Sequence, residues 1–223
     1  MIVIIYSLDV CQFFYSDRYK MNEITRKRGR PRILDRENGL SVAAKLFWTH
    51  GYEGTSIADL TSAMKITAPS LYATFGSKEE LYRQALDYHI DQVTKRRLEV
   101  LQQDGLSAYE AVKFYLYDAA ASMTAPDKPR GCMISTAVLQ HAKENETVAK
   151  NVATRRDGAI HLMKSRLDRA VIEEELPLNT DTESLARFYL AIVQGMSAQA
   201  CDGACEQRLK SLIEIALNAW PNQ

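Results

Sequence analysis

Helical periodicity, stopped and restarted by capping residues, constrains this chain more than any other feature of its sequence. Apolar side chains recur at helical spacing from residue 33 onward, and Ser-x-x-Glu capping boxes open new segments at Ser77 and Ser107. No segment is convincing as a strand. The sequence therefore predicts an all-α fold of about nine helices, and its 223 residues suit one large domain or a small one joined to a larger one.

Glycines, prolines and capping residues set the bounds of the predicted helices. They cover residues 33–50, 55–64, 67–75, 77–101, 107–123, 132–141, 146–175, 180–200 and 205–220.

The second and third predicted helices have the proportions of a unit that reads a DNA groove. A three-residue turn joins them, so the N-terminal turn of the second can enter the major groove. The core does not need Thr67, Ser70 and Thr74, whose hydroxyls can contact base edges or phosphates. Tyr72 can offer its hydroxyl to the DNA backbone, and Lys78 lies at a helix N-terminus, which favours a phosphate. The alternative is a generic three-helix bundle with a solvated polar face.

A basic arm precedes this unit. Residues 22–36 hold six basic and two acidic side chains, although the whole chain has 28 of each sign. Arg28, Arg30 and Arg32 alternate with a glycine and a proline, and such an extended arm suits a narrow, electronegative minor groove. The alternative is a solvated tail. Residues 83–223 hold 17 basic and 19 acidic side chains, so we expect DNA to repel that part.

Three motifs within residues 30–92 resemble the N-terminal domain of the TetR/AcrR family of one-component regulators. They are AAKLF at 43–47, GYEGTS at 51–56 and SLYATFGSKEEL at 70–81. The resemblance implies a ligand-responsive repressor, an all-helical homodimer whose third helix enters the major groove of an operator. The implied division is a DNA-binding domain over 33–92, with its helix-turn-helix at about 55–75, and a domain over 93–223 for ligand binding and dimerisation.

The resemblance also implies which side chains face DNA, with Tyr72 and Lys78 at phosphate-contacting positions. At Lys65 the family usually has glycine; a left-handed conformation would strain a lysine there, and Lys65 can instead add a phosphate contact. Because Ala68 has little hydrogen-bonding reach, we expect the arm and DNA shape to supply much of the affinity. The predicted DNA-binding set is Arg28, Arg30, Arg32, Thr55, Ser56, Lys65, Thr67, Ala68, Pro69, Ser70, Tyr72, Thr74 and Lys78.

The C-terminal helices carry bulky side chains, such as Phe188, that can line an apolar effector cavity or form plain core. Gln140, His141 and Gln194 are the candidate polar anchors. An effector bound there would shift the fourth helix, which links this region to the DNA-reading helices. The candidate ligand-binding set is Phe114, Tyr117, Cys132, Met133, Gln140, His141, Met163, Tyr189 and Gln194.

Small and apolar residues on the last two helices permit close helix approach. In the family that the chain resembles, the equivalent helices form a four-helix bundle between subunits, and two-fold symmetry then requires a pseudo-palindromic operator. The alternative is packing within the chain alone. The predicted interface is Val193, Gly195, Ala198, Leu209, Ile213 and Leu217.

Four scattered cysteines are too few for a disulfide framework and predict a reducing cytoplasm. Cys132 precedes a predicted helix, whose dipole would lower the pKa of its thiol; this leaves a redox- or metal-responsive regulator as an alternative, beside an inert buried cysteine. The cysteine and histidine spacing predicts no metal site, and we expect no cofactor. An enzyme with Cys132 as nucleophile and His141 as base is disfavoured, since they face different sides of one predicted helix.

Residues 1–15 are apolar apart from Asp9 but fail as a secretory signal, because no basic residue precedes the apolar run and no small-residue cleavage site follows it. No stretch reaches the roughly 20 apolar residues that span a bilayer, so we expect no membrane partner. Met21 is followed by a polar, basic segment, and translation can begin there; a real N-terminal extension is the alternative. Mass spectrometry of the natively expressed protein distinguishes the two.

Overall fold

The computed structural model describes residues 35–221, which contain eight helices and no strand. The all-α prediction is confirmed, with one helix fewer than expected. The helices are α1 Arg36–His50, α2 Ile57–Met64, α3 Ala68–Phe75, α4 Lys78–His89 continuing through the π-helical turn Ile90–Thr94 into Lys95–Gln102, α5 Ala108–Thr124, α6 Glu146–Ile172, α7 Thr182–Cys201 and α8 Glu206–Leu217.

Side-chain caps fix where several helices begin. Ser107 and Glu110 form the predicted reciprocal capping box at the start of α5. At the start of α4 the box is only half formed. Ser77 Oγ accepts the N–H of Glu80 at 3.0 Å, but the Glu80 carboxylate turns away and accepts two hydrogen bonds from Arg83.

The turn between α2 and α3 contains a residue in the left-handed conformation that is not a glycine. Lys65 has φ 54° and ψ 45°, and the N–H of Ile66 donates to the Thr61 carbonyl at 3.1 Å. A left-handed conformation costs a residue with a Cβ about 1 kcal/mol or more. The backbone of Lys65 is therefore strained, as the sequence predicted for a left-handed lysine at this position.

Residues 132–141 do not form the predicted helix. Gly131 has φ 78° and Val138 has φ 51°, and both values lie outside the right-handed helical region. β-branched side chains at Ile134, Thr136 and Val138 also lower helix propensity.

Side chains from neighbouring helices satisfy the backbone of this segment instead. The N–H of Cys132 donates to Ser197 Oγ on α7 at 2.9 Å. Arg156 on α6 donates to the carbonyls of Ile134 and Ala137 at 3.1 and 3.0 Å. These bonds replace the internal hydrogen bonds of a helix, so residues 125–145, called here the α5–α6 segment, contain no α-helix and only the short 3₁₀ helix Lys143–Asn145.

Two hydrophobic clusters hold the helices together. The first joins α1, α2, α3, the start of α4 and the start of α6 around Leu60, Leu71 and Phe75, and it also takes up Met133 from the α5–α6 segment. The second joins the end of α4 with α5 to α8. Because α4 contributes to both clusters, a displacement of α4 affects the packing of both.

None of the helices in residues 35–221 is long and apolar enough to cross a membrane. The predicted domain boundary after residue 92 falls inside the π-helical turn of α4 and stays a prediction. Residues 1–20 and the basic arm, for which the sequence makes predictions, lie outside the described residues. Of the segment 22–36, the structure describes Asp35 and Arg36.

Candidate DNA-binding surface and effector site

Helix α3 is anchored by two buried side chains and presents its first turn outward. Leu71 and Phe75 are 0% and 2% exposed. Thr67 is the N-cap: its Oγ1 accepts the N–H of Ser70 at 3.4 Å and lies 3.0 Å from the Ser70 hydroxyl. Thr67, Pro69 and Ser70 are all exposed. The first turn of α3 thus offers two hydroxyls on a rigid support.

The remaining predicted residues of α3 differ in exposure. Tyr72 is 48% exposed, so its hydroxyl is available to a partner. Thr74 Oγ1 donates to the Ser70 carbonyl at 2.8 Å, which uses its proton within the helix and leaves it an acceptor. Ala68 is half-buried.

Lys78 is the first residue of α4. Its ammonium group is 4.4 Å from the ring centroid of Tyr52, a cation–π contact that holds the side chain in place. Burial lowers the pKa of Lys78, and the charges of Glu53 and Asp59 oppose that effect. A positive side chain at a helix N-terminus is suited to a phosphate.

Two predicted DNA-binding residues make hydrogen bonds within the protein. Thr55 is 0% exposed and donates its hydroxyl to the Gly51 carbonyl at 2.7 Å, so its assignment to the DNA surface is wrong. Ser56 caps α2, with its hydroxyl 2.6 Å from Asp59 Oδ2, and remains exposed. Lys65 is exposed at the turn. Arg28, Arg30 and Arg32 lie outside the described residues.

The candidate ligand-binding residues do not line one cavity. Met163 and Tyr189 are 0% exposed in the second hydrophobic cluster, and Tyr117 packs against it while hydrogen-bonding Glu214. Phe114 is half-buried, with the Arg96 guanidinium 5.2 Å from its ring centroid.

The residues predicted on the sixth helix separate because that helix does not form. Met133 packs in the first hydrophobic cluster, beside the helix-turn-helix, and Gln140 is exposed. His141 is also at the surface, 3.7 Å from Glu146. The role of Gln140 and His141 as polar anchors of a ligand stays a prediction. Gln194, on α7, is half-buried.

Cys132 has a perturbed thiol, but for a different reason than predicted. No helix follows it, so no helix dipole acts on it. Burial raises the pKa of Cys132, but hydrogen bonds from His89 and Ser135 and the charges of His89 and Arg97 outweigh burial and lower the pKa to about 6. An ordinary cysteine has a pKa near 8.5, so this thiol is largely ionised at neutral pH.

Sequence reasoning missed His89, Arg97 and Ser135, which are 2%, 3% and 9% exposed. One signal was present: His89 continues the buried face of α4 one turn after Leu86 and Ala85. A histidine on an apolar face has to find a polar partner. The sequence does not reveal that Cys132 is that partner.

The predicted dimer residues fall into two groups. Val193, Leu209, Ile213 and Leu217 are 5%, 0%, 0% and 5% exposed in the second hydrophobic cluster. Their assignment to an interface is wrong, because they already pack within their own chain. Ala198 is exposed and Gly195 half-buried, so these two stay predictions.

Two cavities lie away from the predicted ligand residues. One, of about 270 Å³, lies between the start of α4 and the start of α6 and includes Tyr82 and Asn151. The other, of about 550 Å³, lies beside the start of α7 and includes Thr180 and Phe188; Phe188, predicted inside, is 37% exposed. In the part of the chain that the structure describes, no three His, Cys, Asp or Glu residues are grouped to hold a metal ion.

A tight turn between two short helices, with the second presenting hydroxyls outward, defines a helix-turn-helix DNA-binding protein. The family described as bacterial regulatory proteins, tetR family, matches residues 40–85. The HTH-type transcriptional repressor ComR of Escherichia coli (strain K12) is 34% identical over 198 residues, covering 89% of this chain and 94% of ComR. The chain belongs to the TetR family of transcriptional regulators.

Two further relatives agree with this membership. The HTH-type transcriptional repressor BdcR of Escherichia coli (strain K12) is 25% identical over 194 residues, covering 86% of this chain and 92% of BdcR. A cysteine mutant of the TetR family transcriptional regulator CifR, solved in complex with 26-bp double-strand operator DNA, has a TM-score of 0.83 and 41% identity. That match covers 86% of this chain and 100% of CifR.

Proposed function

We propose that this regulator is a dimeric repressor that binds a pseudo-palindromic operator and is released from it by a small-molecule effector. The single observation that carries the proposal is the first turn of α3, where Thr67 and Ser70 stand exposed above two buried anchors. ComR and BdcR are repressors, and CifR was solved on operator DNA, which supports the same role for this chain. Such a protein acts on DNA in the cytoplasm, as the sequence predicts.

In this proposal, phosphate contacts and base contacts come from different residues. Tyr72 on α3 and Lys78 at the start of α4 position the protein on the DNA backbone, together with the basic arm. Ser70 faces base edges in the major groove. Two copies related by a two-fold axis place two such helices on half-sites about one helical turn of DNA apart.

The second copy docks on the outward side of α7 and α8. Ala198 is exposed on α7, and Ile215 is 69% exposed on α8, although it is a large apolar side chain. In this proposal the two-fold interface buries both side chains, which lie on the two helices that form the interface in the family. The inward sides of both helices are already occupied by the core of the chain.

Release from DNA requires that the effector favour one position of α4 over another. Since α4 packs in both hydrophobic clusters, its displacement changes the position of α3 relative to its copy in the dimer.

Selection of bound duplexes from a random pool tests the proposal. We expect a pseudo-palindromic consensus from the full chain, and the same selection with Lys78→Ala should recover little DNA. Recovery of sequences without two-fold symmetry, or of no consensus, contradicts the proposal.

A further inference from the structure

The turn between α1 and α2 contacts both Lys78 and the α5–α6 segment. The Lys78 ammonium lies over the ring of Tyr52, 4.4 Å from its centroid. The next residue, Glu53, accepts hydrogen bonds from the N–H of Ala142 at 3.0 Å and from Asn145 Nδ2 at 2.6 Å. Two consecutive residues of one turn therefore join a candidate DNA-contacting side chain to a segment outside the helix-turn-helix.

Aromatic packing fixes the Tyr52 ring against the first hydrophobic cluster. The ring stacks on Phe47 of α1, with centroids 6.3 Å apart and an interplanar angle of 22°, and its centroid lies 5.0 Å from that of Tyr82 on α4. Phe47 and Tyr82 are both buried. A cation is attracted to the face of an aromatic ring, so a ring held on two sides restricts where the Lys78 ammonium can lie.

Close backbone packing makes this turn stiff. A Cβ added at Gly54 would lie 2.3 Å from the carbonyl oxygen of His50, so the backbone there leaves room only for glycine. The Thr55 hydroxyl donates to the Gly51 carbonyl at 2.7 Å and closes the turn. A displacement of one residue of the turn is therefore passed to its neighbours, because close-packed groups transmit strain.

Asn145 contacts this turn instead of capping its own helix. It occupies the N-cap position of α6, where an asparagine side chain commonly accepts a hydrogen bond from the first helical turn. Its side chain makes no cap hydrogen bond, and its amide donates to Glu53. This contact directs the Glu53 carboxylate to the α5–α6 segment rather than to Lys78, where a negative charge would compete with a phosphate for the ammonium.

We infer that Tyr52 and Glu53 are positioning residues for the phosphate contact of Lys78, and that the bonds from Ala142 and Asn145 make this contact depend on the α5–α6 segment. The inference deepens the proposed function and rests on it, because it names how operator binding is regulated at that site. Both residues act through Lys78 and not by touching DNA. The route from the α5–α6 segment to DNA passes through the turn and does not require α4 to move.

The test measures the affinity of the full chain for the selected duplex by fluorescence anisotropy over a salt series that begins at low salt, where weakened variants still bind. Tyr52→Leu keeps an apolar side chain but removes the aromatic face. It should weaken binding and lower the slope of log affinity against log salt by up to about 0.9, the value of one phosphate contact. Tyr52→Phe keeps the aromatic face and should leave the slope unchanged.

A second variant tests the link to the α5–α6 segment away from the core. Asn145→Ala removes one hydrogen bond to Glu53 and should lower the slope in the same direction, since Asn145 belongs to neither hydrophobic cluster. Asn179→Ala, at an exposed asparagine between α6 and α7, is the matched control and should leave the slope unchanged.

The two substitutions are then repeated in a chain that already carries Lys78→Ala. Neither Tyr52→Leu nor Asn145→Ala should lower the slope further, because the contact that they position is already lost. A role in stability alone would weaken binding equally with and without Lys78, so this comparison separates positioning from folding.

Three results overturn the inference: an unchanged slope with Tyr52→Leu, an unchanged slope with Asn145→Ala, or equal losses from these substitutions with and without Lys78. Thermal melting checks that each variant is folded, and Tyr52→Met replaces Tyr52→Leu if the latter is not. Failure of the unmodified chain to bind any selected duplex refutes the proposed function instead, and so the two failures are distinguishable.

Discussion

Single side chains at the first turn of α3 and the start of α4 have separate roles on DNA. Removing the charge of Lys78 with Lys78→Ala should weaken binding to all sequences alike and lower the slope of log affinity against log salt by about 0.9. Tyr72→Phe should also weaken binding uniformly, whereas Ser70→Ala should change the preferred bases. Fluorescence anisotropy over a salt series measures the slopes. Lys210→Ala on α8 is the control and should leave the slope unchanged; an unchanged slope with Lys78→Ala contradicts the phosphate contact.

The low pKa of Cys132 predicts a pH profile for its alkylation. Only the thiolate reacts, so the rate should rise with pH through about 6 and then level off, whereas an ordinary cysteine reaches its midpoint near 8.5. The charged or titratable groups around the thiol are His89 and Arg97 on α4, Tyr115 on α5 and Cys201 on α7.

Replacement of His89 separates its effect on the pKa of Cys132 from the effect of burial. His89→Gln removes the positive charge but keeps a hydrogen-bond donor, and should move the midpoint of the rate profile to higher pH. Stopped-flow alkylation with mass mapping gives the profile for Cys132 alone. A midpoint that stays near 8.5 in the unmodified chain contradicts the stabilised thiolate.

For single residues, the sequence predicted which side chains are exposed better than it predicted which groups they contact. Thr67, Ser70 and Tyr72 are exposed as their helical positions indicated. The prediction that Thr55 contacts DNA is wrong for a simple reason. A threonine before a capping serine gives the same sequence pattern whether its hydroxyl faces solvent or donates to a buried carbonyl. Cys132 was selected for a helix dipole that does not exist, and its real partner, His89, comes from a distant part of the sequence.

Among the elements, the α2–α3 turn carries strain that a single substitution can relieve. Lys65 is left-handed, and glycine adopts that conformation without the Cβ penalty. Lys65→Gly should therefore raise the free energy of unfolding by about 1 kcal/mol. Lys65→Ala is the matched control, because it removes the same charge and keeps the strain. Urea unfolding measures both, and equal stability of the two variants contradicts the strained turn.

Element prediction succeeded where local signals decide the structure and failed where distant side chains do. The caps at Ser56, Thr67 and Ser107 lie at the helix starts that the sequence indicated. The predicted helix over residues 132–141 competed with hydrogen bonds from Ser197 and Arg156, which no local pattern reveals. The π-helical turn in α4 likewise leaves no local mark, because the apolar spacing continues on both sides of it.

For the whole molecule, the proposed dimer makes operator binding depend on the outward side of α8. Ile215→Asp places a charge on a large apolar side chain that is 69% exposed, and should weaken dimerisation by about tenfold or more without disturbing the core. Leu178→Asp, at a residue 89% exposed between α6 and α7, is the matched control. Sedimentation velocity over a concentration series compares them. Equal dimerisation of the two variants contradicts this placement of the interface.

The distribution of charge over the whole chain agrees with one DNA-binding end. The neutral total of 28 basic and 28 acidic residues combines a basic segment over 22–36 with a mildly acidic remainder. Total charge alone therefore misleads about the partner, whereas its distribution along the chain is informative.

In the proposed complex, two copies of the chain read one two-fold operator through the first turn of α3. Sedimentation of the full chain with the selected duplex, at concentrations well above the dissociation constant, tests it most directly. We expect two chains per minimal operator, and loss of that complex when one half-site is scrambled. A single chain bound per operator, or a complex that is indifferent to the scrambled half-site, contradicts the claim.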